Sequence, residues 1–210
     1  MKTILSLIAL FSMVPAVLQA SSVTLSSTAT GPSVFASNAV NLVPNGSMIK
    51  VGTFIGGVET LANWREYGGS TVKSAGPGAT AKASKVTGTV TNNNAEADDS
   101  QFNGLAVYIW IYNSTTVSAI ADQAIFKSTF VFPNNDLSGT GDSVTPTATS
   151  FTAGVVAIEG FSNGQFIANG DNGTGNATGG KFILGAAVPE LSTSMMLASL
   201  IGLVAIRRRR

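Results

Sequence analysis

The chain contains neither cysteine nor histidine. The first absence excludes a disulfide framework, a zinc ribbon, an iron–sulfur cluster and a thiol nucleophile. The second removes the imidazole base, so Ser-His-Asp and Cys-His catalysis are both impossible. Charge is scarce as well, at 11% of residues, with 12 Lys and Arg against 11 Asp and Glu. Lys2, Glu190 and Arg207 to Arg210 lie at the two ends, so the remainder carries 7 basic and 10 acidic groups, a net charge of −3. A weakly acidic body with scattered lysines does not offer the basic surface that nucleic acid requires. The 210 residues suit one domain of ordinary size, and 23 glycines with many Ser, Thr, Asn and Val residues point away from helices.

Both ends read as addresses. Lys2 precedes the apolar run from Ile4 to Val14, Pro15 breaks it, and Ala20, with Ala16 as a second option, supplies a small residue for cleavage. A single positive charge, a run too short for a bilayer and a small-residue site describe a secretory signal peptide over residues 1–20, implying export through the Sec translocon. The alternative is a core helix that opens the fold. At the other end, Leu191 to Ile206 carries no charge and is followed at once by Arg207, Arg208, Arg209 and Arg210. Such a run, extended by its flanks, is expected to form a transmembrane helix, and the arginines a stop-transfer signal left in the cytoplasm.

Val188, Pro189 and Glu190, the apolar run and the terminal arginines stand in an order that resembles the PEP-CTERM protein-sorting signal of exported bacterial proteins. Pro189 and Glu190 match the first two positions of its Pro-Glu-Pro motif, Leu191 stands at the third, and Ser192 and Thr193 match the Ser-Thr that often follows. The resemblance covers residues 188–210. It implies processing by an exosortase, an integral-membrane transpeptidase, in a cell that makes extracellular polysaccharide. The protein would then be held transiently in the inner membrane and released to the cell surface or matrix. A plain membrane anchor is the alternative.

Between these ends, residues 21–187 are expected to form one all-β domain, a jelly-roll-like β-sandwich with one or two short helices. Strands are expected at Val23–Ala29, Ala39–Val43, Met48–Phe54, Lys85–Thr91, Leu105–Tyr112, Ile125–Phe132, Phe151–Ala157, Gly164–Ala168 and Lys181–Leu184. Five Asn-Gly pairs, at Asn45, Asn103, Asn163, Asn169 and Asn172, mark turns. Val58–Tyr67 and Val117–Ala124 are the expected helices, and Ser70–Ser84, Leu137–Ser150 and Ala168–Gly180 the expected loops.

Strand Leu105–Tyr112 sends Leu105, Val107, Ile109 and Ile111 to one face and Ala106, Tyr108, Trp110 and Tyr112 to the other. Tyr108 and Trp110, with Trp64 elsewhere, are candidate stacking platforms for the apolar faces of sugars; alternatively the strand is buried on both faces. Glu96, Asp98 and Asp99 form the densest acidic cluster, a weak calcium candidate that fits no EF-hand spacing and equally suits a solvated turn. Glu59, Glu66 and Glu159 leave a carboxylate-based glycan hydrolase formally open. Four Asn-x-Ser/Thr triplets, at Asn45, Asn113, Asn172 and Asn176, follow from composition. The expectation is a non-enzymatic surface or matrix protein without cofactor, structural or adhesive, with a carbohydrate-binding module-like domain as the alternative.

Overall fold

A computed structural model describes residues 22–26, 32–74, 84–91, 99–118, 120–132, 143–144, 151–168 and 180–188. The signal peptide with Ala20, the sorting residues Pro189 and Glu190, the apolar run and Arg207 to Arg210 lie outside them. So do Glu96, Asp98 and the Asn-Gly pairs at Asn169 and Asn172. Among the described residues, no helix is long and apolar enough to cross a membrane.

The described chain is mostly strand: β1 (Ser22–Ser26), β2 (Ser33–Phe35), β3 (Met48–Phe54), β4 (Trp64–Ser74), β5 (Ser84–Thr91), β6 (Ala106–Tyr112), β7 (Gln123–Val131), β8 (Ser143–Val144), β9 (Phe151–Val156), β10 (Gln165–Ile167) and β11 (Lys181–Ile183). Hydrogen-bonded neighbours follow the order β10-β11-β2-β5-β4-β3-β6-β7-β9, with β1 on β5 and β8 on β1. The two ends of this path come back together. Phe151 of β9 meets Phe166 of β10 at 5.8 Å between ring centroids, so the sheet is nearly closed on itself.

Closure follows from side-chain alternation. Ile49 and Val51 of β3, Val107, Ile109 and Ile111 of β6 and Ala124 and Phe126 of β7 all point inward, where they join Val23, Val34, Val72, Val86 and Phe182 in one core. The inward face of β6 is the one that alternation assigns. A bulge then breaks the alternation of β4: Val51 pairs with Gly68 and Gly52 with Glu66, leaving Tyr67 unopposed. Tyr67 is thereby turned into the core, its ring 5.2 Å from Phe102 and 4.9 Å from Phe132.

Val58–Tyr67 is not a helix, because Trp64 to Glu66 pair with Phe54 to Gly52 of β3. Val58, Leu61, Trp64 and Tyr67 recur every third residue, which imitates a helical face, but the spacing arises from a 3₁₀ turn at Leu61–Asn63 followed by a bulged strand. Val117–Ala124 is corrected likewise: Val117, Ser118 and Ile120 to Asp122 are not helical and the chain enters β7 at Gln123, because pairing with β6 outweighs a weak local preference. Ala39–Val43 is not a strand either. The Asn38 side chain accepts from the Val40 and Asn41 amides, and Ala39 sits at φ 56°, so only Leu42 reaches a bridge, to Phe35. Ser70–Ser74 belongs to β4 rather than to a loop. Gly46 and Gly104 take the positive φ of turns as expected, whereas Gly164 does not.

Lys85 of β5 is 1% exposed, and burial pushes its pKa down to about 8. In the unfolded chain a lysine keeps its proton to about pH 10.4, so between these values the unfolded state binds more protons than the folded one. Stability is therefore expected to rise with pH from about 8 to about 10, by up to about 3 kcal/mol. Above that it should fall, because burial holds the phenols of Tyr108 and Tyr112 protonated beyond the usual range. Urea unfolding at stepped pH checks this: Lys85→Met should flatten the rise and keep the fall.

Candidate functional site

The outward faces of β3, β4, β6, β7 and β9 carry a second apolar cluster. Phe54, Tyr108, Ile125, Val156 and Ile158 are buried in it, with Trp64, Ala106, Trp110 and Phe161 packed at its margin. Strand register puts the parts side by side: Lys50 opposite Trp110, Gly52 opposite both Tyr108 and Glu66, Tyr108 opposite Lys127, and Trp110 opposite Ile125.

Gly52 makes the assembly possible. A Cβ there would stand 2.8 Å from Cζ2 of Trp64 and 2.2 Å from the Arg65 carbonyl oxygen, so the Trp64 indole crosses β3 where a side chain is missing. The rings interlock edge to face: Phe54 with Trp64 at 5.3 Å, Phe54 with Tyr108 at 4.9 Å and Trp64 with Trp110 at 5.5 Å. Trp110 stacks on Tyr112 at 5.2 Å, and its Nε1 donates to Oε1 of Gln123 at 2.8 Å. The Trp64 indole N–H is buried without an acceptor among the described residues.

Two ion pairs frame the rings. Glu59 Oε1 accepts from the Tyr108 hydroxyl at 2.6 Å and from Nζ of Lys127 at 2.9 Å. The Tyr108 hydrogen bond first, and then Lys127, hold the Glu59 carboxyl below its usual range, while Glu59 and then Tyr108 raise Lys127. Lys50 Nζ meets Oε2 of Glu66 at 2.6 Å, and burial, then Glu66, pushes the Tyr112 phenol up. Glu59 is thus kept ionised at neutral pH, the opposite of the raised carboxylic acid that protonates a glycosidic oxygen.

The three sequence candidates for stacking, Trp64, Tyr108 and Trp110, are brought together on this face. Their exposure differs: Tyr108 is buried, and Trp64 and Trp110 keep part of their surface in solvent. Strand β6 is accordingly covered on both sides near Tyr108 and partly open at Ala106 and Trp110. Glu59 and Lys127 were not predictable as partners, since the contact depends on how the β3–β4 loop folds back. Of the calcium candidates, Asp99 begins a 3₁₀ turn, Asp99–Phe102, and Glu96 and Asp98 lie outside the described residues. Among the described residues, no three Asp or Glu side chains gather as a metal site. No family model, no curated protein and no solved structure matches the chain.

Proposed function

We propose that this is an exported protein, sorted by an exosortase-type transpeptidase to the cell surface or extracellular matrix, where its β domain has a structural or adhesive role. One observation carries the reading: Val188-Pro189-Glu190, the uncharged run Leu191–Ile206 and Arg207 to Arg210 occur together and in order. The nearly closed sheet, flattened as in a jelly-roll sandwich, would be its compact cargo. Membrane fractions washed with alkaline carbonate test the anchor. The full chain should stay in the pellet with its β domain open to external protease, and a chain lacking residues 189–210 should be washed out; extraction of both overturns the reading.

The meeting of Trp64 and Trp110, both partly exposed, favours a second reading, a carbohydrate-binding module-like surface for matrix polysaccharide. Polysaccharide pull-down with Trp110→Ala decides it. On this reading retention drops at least about tenfold, the loss of one stacking contact of about 1.4 kcal/mol or more, while thermal unfolding stays cooperative. Equal retention removes Trp110 from any role in binding.

A further inference from the structure

We propose that one end of the β domain, bearing residues 36–42, 113–118 and 120–122, rests on the lipid surface while the C-terminal tail is attached, with Val40, Val117 and Ile120 set into the bilayer interface. The inference rests on reading the tail as a membrane anchor. It is carried by where the chain leaves the sheet.

β11 continues past Ile183. Gly185 exchanges both backbone hydrogen bonds with Gln123, Ala187 bridges Phe161, and the Val188 amide donates to the Gly160 carbonyl at 2.7 Å. Continuing the antiparallel register of Gly185 with Gln123 brings Val188 level with Ile120. β2 runs parallel to β11 and ends in a turn closed by the Ala36 amide donating to the Asn41 carbonyl and by the Phe35–Leu42 bridge, so the turn that carries Val40 lies at the same end. The exit point therefore coincides with the two loops, which are themselves tied together by the Ser37 amide donating to Oδ2 of Asp122 at 3.0 Å. Only Pro189 and Glu190 separate Val188 from the apolar run. Three extended steps span roughly 10 Å, so this end cannot stand far from the place where the tail enters the membrane.

The surface there suits a lipid interface. Ile120 is 86% exposed, Val40 76%, Val117 59% and Val188 51%, an unusual degree of exposure for β-branched side chains gathered at one end. Residues 36–47 and 113–121 carry no charge, and Asn113, Ser114, Thr115 and Thr116 offer hydroxyl and amide groups of the kind that headgroups accept. Asp122 is engaged by Ser37, and among the described residues Glu159, beside Gly160, is an exposed carboxylate near the exit that sets a limit on depth. Among the described residues, the remaining exposed large apolar ones, Val58, Leu61 and Val131, lie toward the opposite end, beside the Glu59–Lys127 ion pair and far from the exit.

The absence of cysteine allows a direct test. Single-cysteine variants Val117→Cys, Ile120→Cys and, as reference, Val131→Cys of the full chain are labelled with an environment-sensitive fluorophore and reconstituted into phosphatidylcholine vesicles with and without doxyl-labelled lipid. All three sites are exposed, so folding is not at stake. Blue-shifted emission that doxyl lipid quenches at 117 and 120, and not at 131, is the expected result. If the protein floats with the vesicles but 117 and 120 behave like 131, the docking is wrong and the anchor stands. Failure of the full chain to float with the vesicles overturns both.

Discussion

Gly185→Ala is expected to lower the unfolding free energy by about 3–5 kcal/mol, combining forced backbone displacement with the loss of two ladder hydrogen bonds. A Cβ at this position would lie 1.7 Å from the Ser162 carbonyl oxygen and 3.2 Å from that of Gln123, and neither neighbour is a side chain that can swing aside. The residue sits where three segments meet. Its amide donates to Gln123 at 3.0 Å, its carbonyl accepts from Gln123 at 2.9 Å, and the Ser162 amide donates to the next residue, Ala186. Opening this seam would separate the start of β7 from the extension of β11 and release the segment leading to Val188. Chemical denaturation would show the loss as a lower midpoint at unchanged slope. A variant within about 0.5 kcal/mol of the parent would mean that the seam adjusts freely, as surface positions do.

Phe182→Ala should be comparably severe, at about 3–5 kcal/mol, the range for emptying a buried aromatic site. Phe182 is 1% exposed, and three rings converge on it: Phe126 at 4.9 Å, Phe151 at 4.9 Å and Phe166 at 4.8 Å. These rings come from β7, β9 and β10, so one side chain on a three-residue strand joins the two ends of the sheet where no ladder does. Losing a third or more of an ordinary domain's stability is expected to show in a lower thermal midpoint and in protease cleavage near β9 to β11. Phe182→Leu, which refills most of the volume, should recover much of the loss. If Phe182→Ala unfolds like the parent, closure of the sheet does not depend on this cluster.

What the sequence discloses is the alternation. β3 is legible to the residue as Met48–Phe54, and the division of β6 into an aliphatic and an aromatic face follows from counting in twos. Where alternation breaks, the reading breaks with it. Trp64 and Tyr67, three apart, face opposite sides of the sheet while mimicking a helical stripe, and the bulge at Tyr67 shifts the phase of β4 so that Tyr67 and Val72, five apart, both enter the core. Ala39–Val43 looks like a strand because four of its five residues are apolar, but the Asn38 side chain takes the amides that a ladder would need. β2, only three residues long, has too few positions for a period to register. The candidate site was half legible: Tyr108 and Trp110 share a strand, whereas the arrival of Trp64, Phe54 and Glu59 beside them depends on Gly52 and on a loop whose path no local pattern encodes.

The claim that both ends are addresses is tested most directly by intact-mass measurement of the protein from its own host, from membrane and released fractions separately, beside a Pro189→Ala variant. The account predicts a released form that lacks Met1–Ala20 and ends near Pro189, and a variant that stays in the membrane with its four arginines. A released form that still carries Arg207 to Arg210, or a variant processed like the parent, would contradict it.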